Sequence, residues 1–141
     1  MEKREVKIKK LNPEAKIPIH ATEHAAGFDI YALENTSLES GETKIVKTGI
    51  AFEIPKGFYV RIEDRSGMAI KGIHKVAGII DSDYRGEIGI VLHNSTKQPY
   101  QIEKHDRIAQ GILTPVSQAS FIEAELSETT RGSGGFNSTG K

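Results

Sequence analysis

The chain alternates apolar and polar residues in short runs, and no long stretch keeps a helical period; nothing else in the sequence limits the possible folds as strongly. Ile50, Phe52 and Ile54 alternate with Ala51 and Glu53, and Pro55-Lys56-Gly57 then turns the chain. Phe58, Val60 and Ile62 follow, alternating with Tyr59, Arg61 and Glu63. This pattern predicts a hairpin with one buried face. Val6 and Ile8 ahead of Asn12-Pro13 predict an opening strand, and Ile88, Ile90 and Leu92 a middle one. Arg107 to Leu113 predicts another, and Phe121 to Leu126 a last. Turn signals recur at roughly 8–12-residue spacing, as in a β-sandwich or barrel. One short helix is expected from Ser66 to Lys71, with Ser66 as its N-capping residue.

A chain of 141 residues forms one domain with its own core. Lys and Arg together number 19, as do Asp and Glu, so the formal net charge is zero. A protein gripping nucleic acid by its phosphates shows a basic excess, so the overall balance argues against that partner. The absence of cysteine excludes disulfides, thiolate catalysis and Cys-ligated metal sites. The longest apolar runs, such as Val76-Ala77-Gly78-Ile79-Ile80, are far too short for a helical membrane span. Met1-Glu2-Lys3-Arg4 leads into alternating sequence, not an apolar signal core. The expectation is a soluble intracellular protein without membrane or nucleic-acid partners, cytoplasmic, or nuclear if the source is eukaryotic or viral. Composition changes at Ser127, where Gly, Ser and Thr dominate. The expected organisation is an all-β domain over residues 1–126 and a flexible arm over 127–141.

Several clusters read in two ways. Arg65-Ser66-Gly67 offers a guanidinium fork, a hydroxyl and close backbone approach for an anion, yet Asp64-Arg65-Ser66-Gly67 is equally a good turn. In Gly78-Ile79-Ile80-Asp81-Ser82-Asp83-Tyr84-Arg85-Gly86, an Asp after an apolar strand end can orient a water and take its proton. The plainer reading is a polar turn closed by an Asp83–Arg85 ion pair. Asp106-Arg107-Ile108-Ala109-Gln110 reads first as a loop locked by ion pairing. The arm combines Arg131, Phe136 and clustered glycines, which suit a phosphate, a ring and wrapped oxygens, although its composition also fits inert disorder. The five histidines are scattered without zinc-ligand spacing, and no Gly-Lys-Ser/Thr follows the arm's glycines.

Taken in order, five segments resemble the trimeric dUTP pyrophosphatase (dUTPase) family. They are Ala26-Gly27-Phe28-Asp29-Ile30-Tyr31-Ala32, Arg65-Ser66-Gly67-Met68-Ala69, Ala77 through Gly86, Asp106-Arg107-Ile108-Ala109-Gln110, and Arg131 through Gly140. The resemblance implies a distorted jelly-roll or barrel-like all-β fold, assembled as a homotrimer. It implies hydrolysis of dUTP to dUMP and pyrophosphate with Mg²⁺, keeping uracil out of DNA and supplying dUMP for thymidylate synthesis. Asp81 is implied as the base acting on the attacking water. The ion is implied to be held by triphosphate oxygens and waters, with no direct protein ligand and Asp29 in a supporting or purely structural role.

The same resemblance implies a substrate-binding set of Arg65, Ser66, Gly67, Gly78, Ile80, Tyr84, Gln110, Arg131, Phe136, Asn137 and Ser138. Gly78 would read uracil through main-chain groups, and Tyr84 would pack on the deoxyribose and exclude a 2′-hydroxyl. Arg65, Ser66, Gln110, Arg131 and Ser138 would hold phosphates, and Phe136 would stack on uracil. One subunit would supply Asp29, Arg65 and Gln110, a second Gly78, Asp81 and Tyr84, and a third its arm. Three positions depart from the family pattern: Asn137 for Gly, Lys75 for an Asn found in some members, and His105 for a Gly at a turn. A dCTP deaminase on the same fold needs a general acid/base at the amino group, usually Glu; the Asp81 segment and the Gly-Phe arm fit the pyrophosphatase better. A non-catalytic binding module fits poorly with Arg65, Asp81, Tyr84 and Arg131 all present.

Overall fold

The computed structural model describes residues 1–136 and residue 140. In chain order the elements are β1 (Lys7–Lys10), β2 (Phe28–Tyr31), β3 (Thr36–Leu38), β4 (Thr43–Lys47), β5 (Ile50–Glu53) and β6 (Phe58–Glu63). They continue with α1 (Ser66–Ala69), β7 (Ile73–Lys75), β8 (Ile79–Ile80), β9 (Gly89–Asn94), β10 (Tyr100–Ile102) and β11 (Arg107–Pro115). All strand pairs are antiparallel. They form four small sheets, β1-β5, β3-β10, β2-β11-β6-β8 and β4-β9-β7, wrapped around one core without closing into a barrel among the described residues. Nor is any helix among those residues long and apolar enough to cross a membrane.

Alternation selects the buried faces. In β6, Val60 and Ile62 are buried while Arg61 between them is exposed. In β9, Ile90, Leu92 and Asn94 point inward. Leu38 of β3, Val46 of β4, Ile50 of β5, Ile73 of β7 and Ile102 of β10 meet the same core. β11 breaks the period: Ile108 and Ala109 are both buried. Its register against β2 slips between Arg107 and Ala109, so a bulge turns two consecutive side chains inward.

Three local expectations are corrected. Ile50–Ile54 and Phe58–Ile62 do not form a hairpin. The turn forms, with Phe58 N–H donating to Pro55 O at 3.2 Å and Gly57 at φ 84°, but β5 pairs with β1 and β6 pairs with β11 and β8. The turn is a corner between sheets, and Ile50, Ala51 and Phe52 are all buried because β5 is covered on both faces. Phe121–Leu126 is in no strand, and Phe121, Ile122 and Leu126 are almost fully exposed. A strand needs a ladder partner, and no edge among the described residues supplies one there. Among the described residues the last strand ends at Pro115, and residues 115–130 are all exposed.

The helix is shorter than expected, and Ser66 is not its cap. Arg65 occupies that position in extended conformation (φ −91°, ψ 129°), without a side-chain cap. Its carbonyl accepts from Met68 N–H and Ala69 N–H at 3.0 and 2.9 Å, which shifts Ser66 into the first turn. His105 adopts φ 67°, the left-handed conformation suited to a glycine, and its Nε2 lies 2.7 Å from Glu14 O.

Gly111, buried in β11, sits where side chains of the flanking β2 and β6 close over the strand. A Cβ there would sit 2.5 Å from the Phe28 ring and 3.1 Å from Val60. Gly111→Ala is expected to cost about 1–3 kcal/mol by overpacking, read as a lower urea midpoint with an unchanged slope; an unshifted midpoint would show that Phe28 swings aside freely.

Candidate active site

The sheet β2-β11-β6-β8 organises the charged residues. Gln110 of β11 stands opposite Asp29 of β2 on one side and Glu63 of β6 on the other. Arg65 follows two residues after the end of β6. Its Nε lies 3.5 Å from Asp29 Oδ1, and its Nη1 donates to Arg107 O at 3.2 Å. Arg107 Nη1 approaches the other Asp29 oxygen at 3.8 Å. Asp29 is 13% exposed and therefore faces two guanidinium groups at a partly desolvated sheet end. The expected ion pairing of the Asp106-Arg107 loop is thus realised by Arg107 with Asp29, while Asp106 Oδ2 accepts from Glu103 N–H at 2.8 Å.

Gln110 is held by one hydrogen bond and lies close against Gly27. Its Nε2 donates to Asp64 O at 2.8 Å. Its Oε1 would lie 2.5 Å from a Cβ at Gly27, so only glycine leaves room for the amide there. Ser66 and Gly67 are exposed beside Arg65. The structure therefore gathers Asp29, Arg65, Ser66, Gly67 and Gln110 at one sheet end, together with Arg107 and Asp64, which the sequence did not single out. Arg107 was visible in its segment but only as a loop lock. Asp64 had no signal beyond its place in a turn.

The second group lies along β8 and the loop after it. Ile62 N–H donates to Gly78 O at 2.8 Å, and Ile79 and Ile80 pair with Arg61 and Val60. A Cβ on Gly78 would meet Ile62 O at 2.9 Å, so close backbone approach to β6 requires glycine at this position. Asp81 is exposed at the end of β8, in an open groove of about 590 Å³ lined by Phe58, Tyr59, Ile79, Asp81, Ser82, Asp83, Val116 and Gln118. None of Arg65, Ser66, Gln110 or Arg131 lines that groove. Tyr84 folds across its own loop: its hydroxyl donates to Glu87 O at 2.8 Å, and its ring would collide with a Cβ on Gly86. Instead of pairing with Asp83, Arg85 donates to Ser82 O at 2.7 Å.

The arm stands apart from both groups. Arg131 is exposed, and its Nε donates to Gly134 O at 2.9 Å within the same loop. Phe136 is fully exposed, with φ 51°. Asn137 and Ser138 lie outside the described residues. Among the described residues no three His, Cys, Asp or Glu side chains converge as a metal site.

Tyr31, buried beside the charged cluster, registers its electrostatics. Burial, and then the Asp29 carboxylate, push its phenol above the ordinary value of about 10, while Arg107 and Arg65 pull the other way. The folded state thus holds this proton more tightly than the unfolded chain. The associated stability is present below pH about 10 and is lost as pH rises through the folded pKa. Asp29→Asn is expected to lower the Tyr31 pKa, read by NMR titration of the labelled tyrosine ring carbon; an unmoved titration would mean that Asp29 exerts no field there.

The chain is similar to known proteins over nearly its whole length. A dUTPase family model matches residues 13–140. The deoxyuridine 5'-triphosphate nucleotidohydrolase of Nautilia profundicola is 51% identical over 140 residues, covering 96% of this chain and 99% of that protein. The Kluyveromyces lactis protein of the same name is 46% identical over 139 residues, covering 96% and 94%. The solved dUTPase of Staphylococcus bacteriophage 80alpha with dUPNHPP superposes with a TM-score of 0.91 at 28% identity, covering 99% of this chain and all of that one. A dUTPase variant from phage phi11 of S. aureus, whose structure describes coordination of a structural Mg(II) ion, gives 0.83 at 25% identity, covering 89% of this chain and all of that one.

Proposed function

The chain belongs to the dUTPase family, and we propose that it hydrolyses dUTP to dUMP and pyrophosphate at sites shared between subunits of a homotrimer. The observation that carries the mechanism is the placement of Asp81: an exposed carboxylate at a strand end, in a groove, with its strand bonded to β6. Asp81 takes a proton from water as the oxygen attacks the α-phosphorus in line. The bond from that phosphorus to its bridging oxygen breaks, and pyrophosphate leaves. Positioning and neutralisation dominate such chemistry. Arg65 suits the phosphates because Asp29 and the Arg107 carbonyl already fix its guanidinium, so little freedom is lost on binding. Ser66, Gly67 and Gln110 complete this grip. Gly78, Ile80 and Tyr84 frame the nucleoside, with the exposed face of the Tyr84 ring set against the sugar.

Mg²⁺ would come with the triphosphate as part of the substrate and supply charge neutralisation there, while Arg65, Ser66 and Gln110 hold the phosphates. The donor set supports this reading, because both oxygens of Asp29 already face arginines. Asp29 then acts on the phosphate grip through Arg65. The exposed arm supports a shared site: Arg131 and Phe136 make no contact with their own chain's Arg65 or Asp81 groups, which leaves both free to reach a neighbour's phosphates and uracil. Asn137 and Ser138 belong to the same reading of the arm. The product supplies thymidylate synthesis, and removal of dUTP keeps uracil out of DNA.

Phosphorus NMR of the reaction is expected to show dUMP and pyrophosphate, with no inorganic phosphate or dUDP. Asp81→Asn is expected to lower kcat by about 10²–10⁴-fold with dUTP affinity nearly unchanged; near-normal turnover would remove Asp81 as the base. A chain ending at residue 130 is expected to melt at the wild-type temperature and to lose about a hundredfold in kcat/KM. Unfolding of the shortened chain would instead make the arm structural.

A further inference from the structure

We propose that His74 and His93 form a binding site for a late first-row divalent cation such as Zn²⁺, on the outer face of the sheet β4-β9-β7. The two histidines are far apart in the sequence, and only strand pairing joins them. β7 and β9 run antiparallel, with His74 directly opposite His93. Ile73, Leu92 and Asn94 beside them are buried, so alternation turns both imidazoles outward, where they are half-buried. Their ring centres lie 5.4 Å apart, with the ring planes at 60°.

That spacing suits a shared ion. A cation about 2.0–2.1 Å from an imidazole nitrogen stands about 3.2 Å from the ring centre, so two rings meeting at a tetrahedral angle have centres about 5.2 Å apart. The pair is also oriented from behind. Thr43 of β4 stands opposite His93 on the other side, and its Oγ1 lies 2.9 Å from His93 Nδ1. With its proton on Nδ1, His93 donates to Thr43 Oγ1 and keeps the Nε2 lone pair for a metal; metal-bound histidines are usually held this way through their second nitrogen. β9 is bonded along both edges, so two ladders fix the row Thr43–His93–His74, and ligands on strands are placed more firmly than ligands on loops. The donors select the class of ion. Neutral imidazoles suit Zn²⁺, Cu²⁺ and Ni²⁺, whereas Mg²⁺ prefers oxygen. No third His, Cys, Asp or Glu joins the pair among the described residues, so water completes the shell. β4-β9-β7 is not the sheet that carries Asp29, Gln110 and the strand before Asp81, so this inference stands or falls without the functional reading.

The test uses the full chain without nucleotide at about pH 7.5, where ordinary imidazoles are neutral. Calorimetry with ZnCl₂ is expected to find one Zn²⁺ per chain. His74→Ala and His93→Ala should each weaken that binding by at least about tenfold, and Thr43→Val by about tenfold. Zn²⁺ should raise the melting temperature of wild type and leave that of the double alanine variant unchanged. Substoichiometric Cu²⁺ should broaden the ring C–H NMR signals of His74 and His93, while those of His20, His24 and His105 stay sharp. MgCl₂ should leave all five signals unmoved. His74→Gln and His93→Gln remove the imidazole while keeping a polar side chain, and decide the matter if an alanine variant fails to fold. The inference is overturned by absence of Zn²⁺ binding, by broadening shared equally among the five histidines, or by folded His74 or His93 variants that bind like wild type. One ion per three chains also overturns it, because the ion would then sit between copies. Wild-type affinity in Thr43→Val overturns the orienting role of Thr43.

Discussion

β11 is hydrogen-bonded along both edges, to β2 and to β6, and the site depends on that double pairing. Through it Gln110 stands between Asp29 and Glu63, and Gly111 lets the Phe28 ring and Val60 close over the strand. The bulge between Arg107 and Ala109 sends Ile108 and Ala109 into the core and leaves Arg107 outside, facing Asp29. A buried strand anchors a charged cluster better than a loop does, because its register cannot slip without exposing apolar side chains.

The cluster itself is an exercise in charge compensation. Two guanidinium groups share the Asp29 carboxylate, so neither arginine is free to wander. A chain of zero net charge thereby presents two fixed cationic groups at one place. Tyr31 responds to the same field from the buried side.

Much of this was legible before the structure. Alternation in Phe58–Glu63 and Gly89–Asn94 gave the correct buried faces, and Pro55-Lys56-Gly57 and the residue at 105 marked real turns. The residue types at 65, 66 and 81 suit anion binding and proton transfer by their own chemistry, whereas Gln110 enters only through the family resemblance. The errors share a cause. Ile50–Ile54 and Phe58–Ile62 looked paired because they are adjacent in sequence, yet each found a longer-range partner. Phe121–Leu126 had strand periodicity and no edge to join. Ser66 had the chemistry of a cap, but Arg65, still extended from β6, took the position.

The sequence by itself determined the all-β content, the turn positions and the chemical types at the site, because alternation and turn preference are local properties. Only the tertiary structure decided which strands are neighbours, that Arg107 joins Arg65 on Asp29, and that Asp64 binds both Gln110 and Lys75. Those choices rest on the competition among distant backbone edges for hydrogen-bond partners around one core, and no window of local sequence contains that competition.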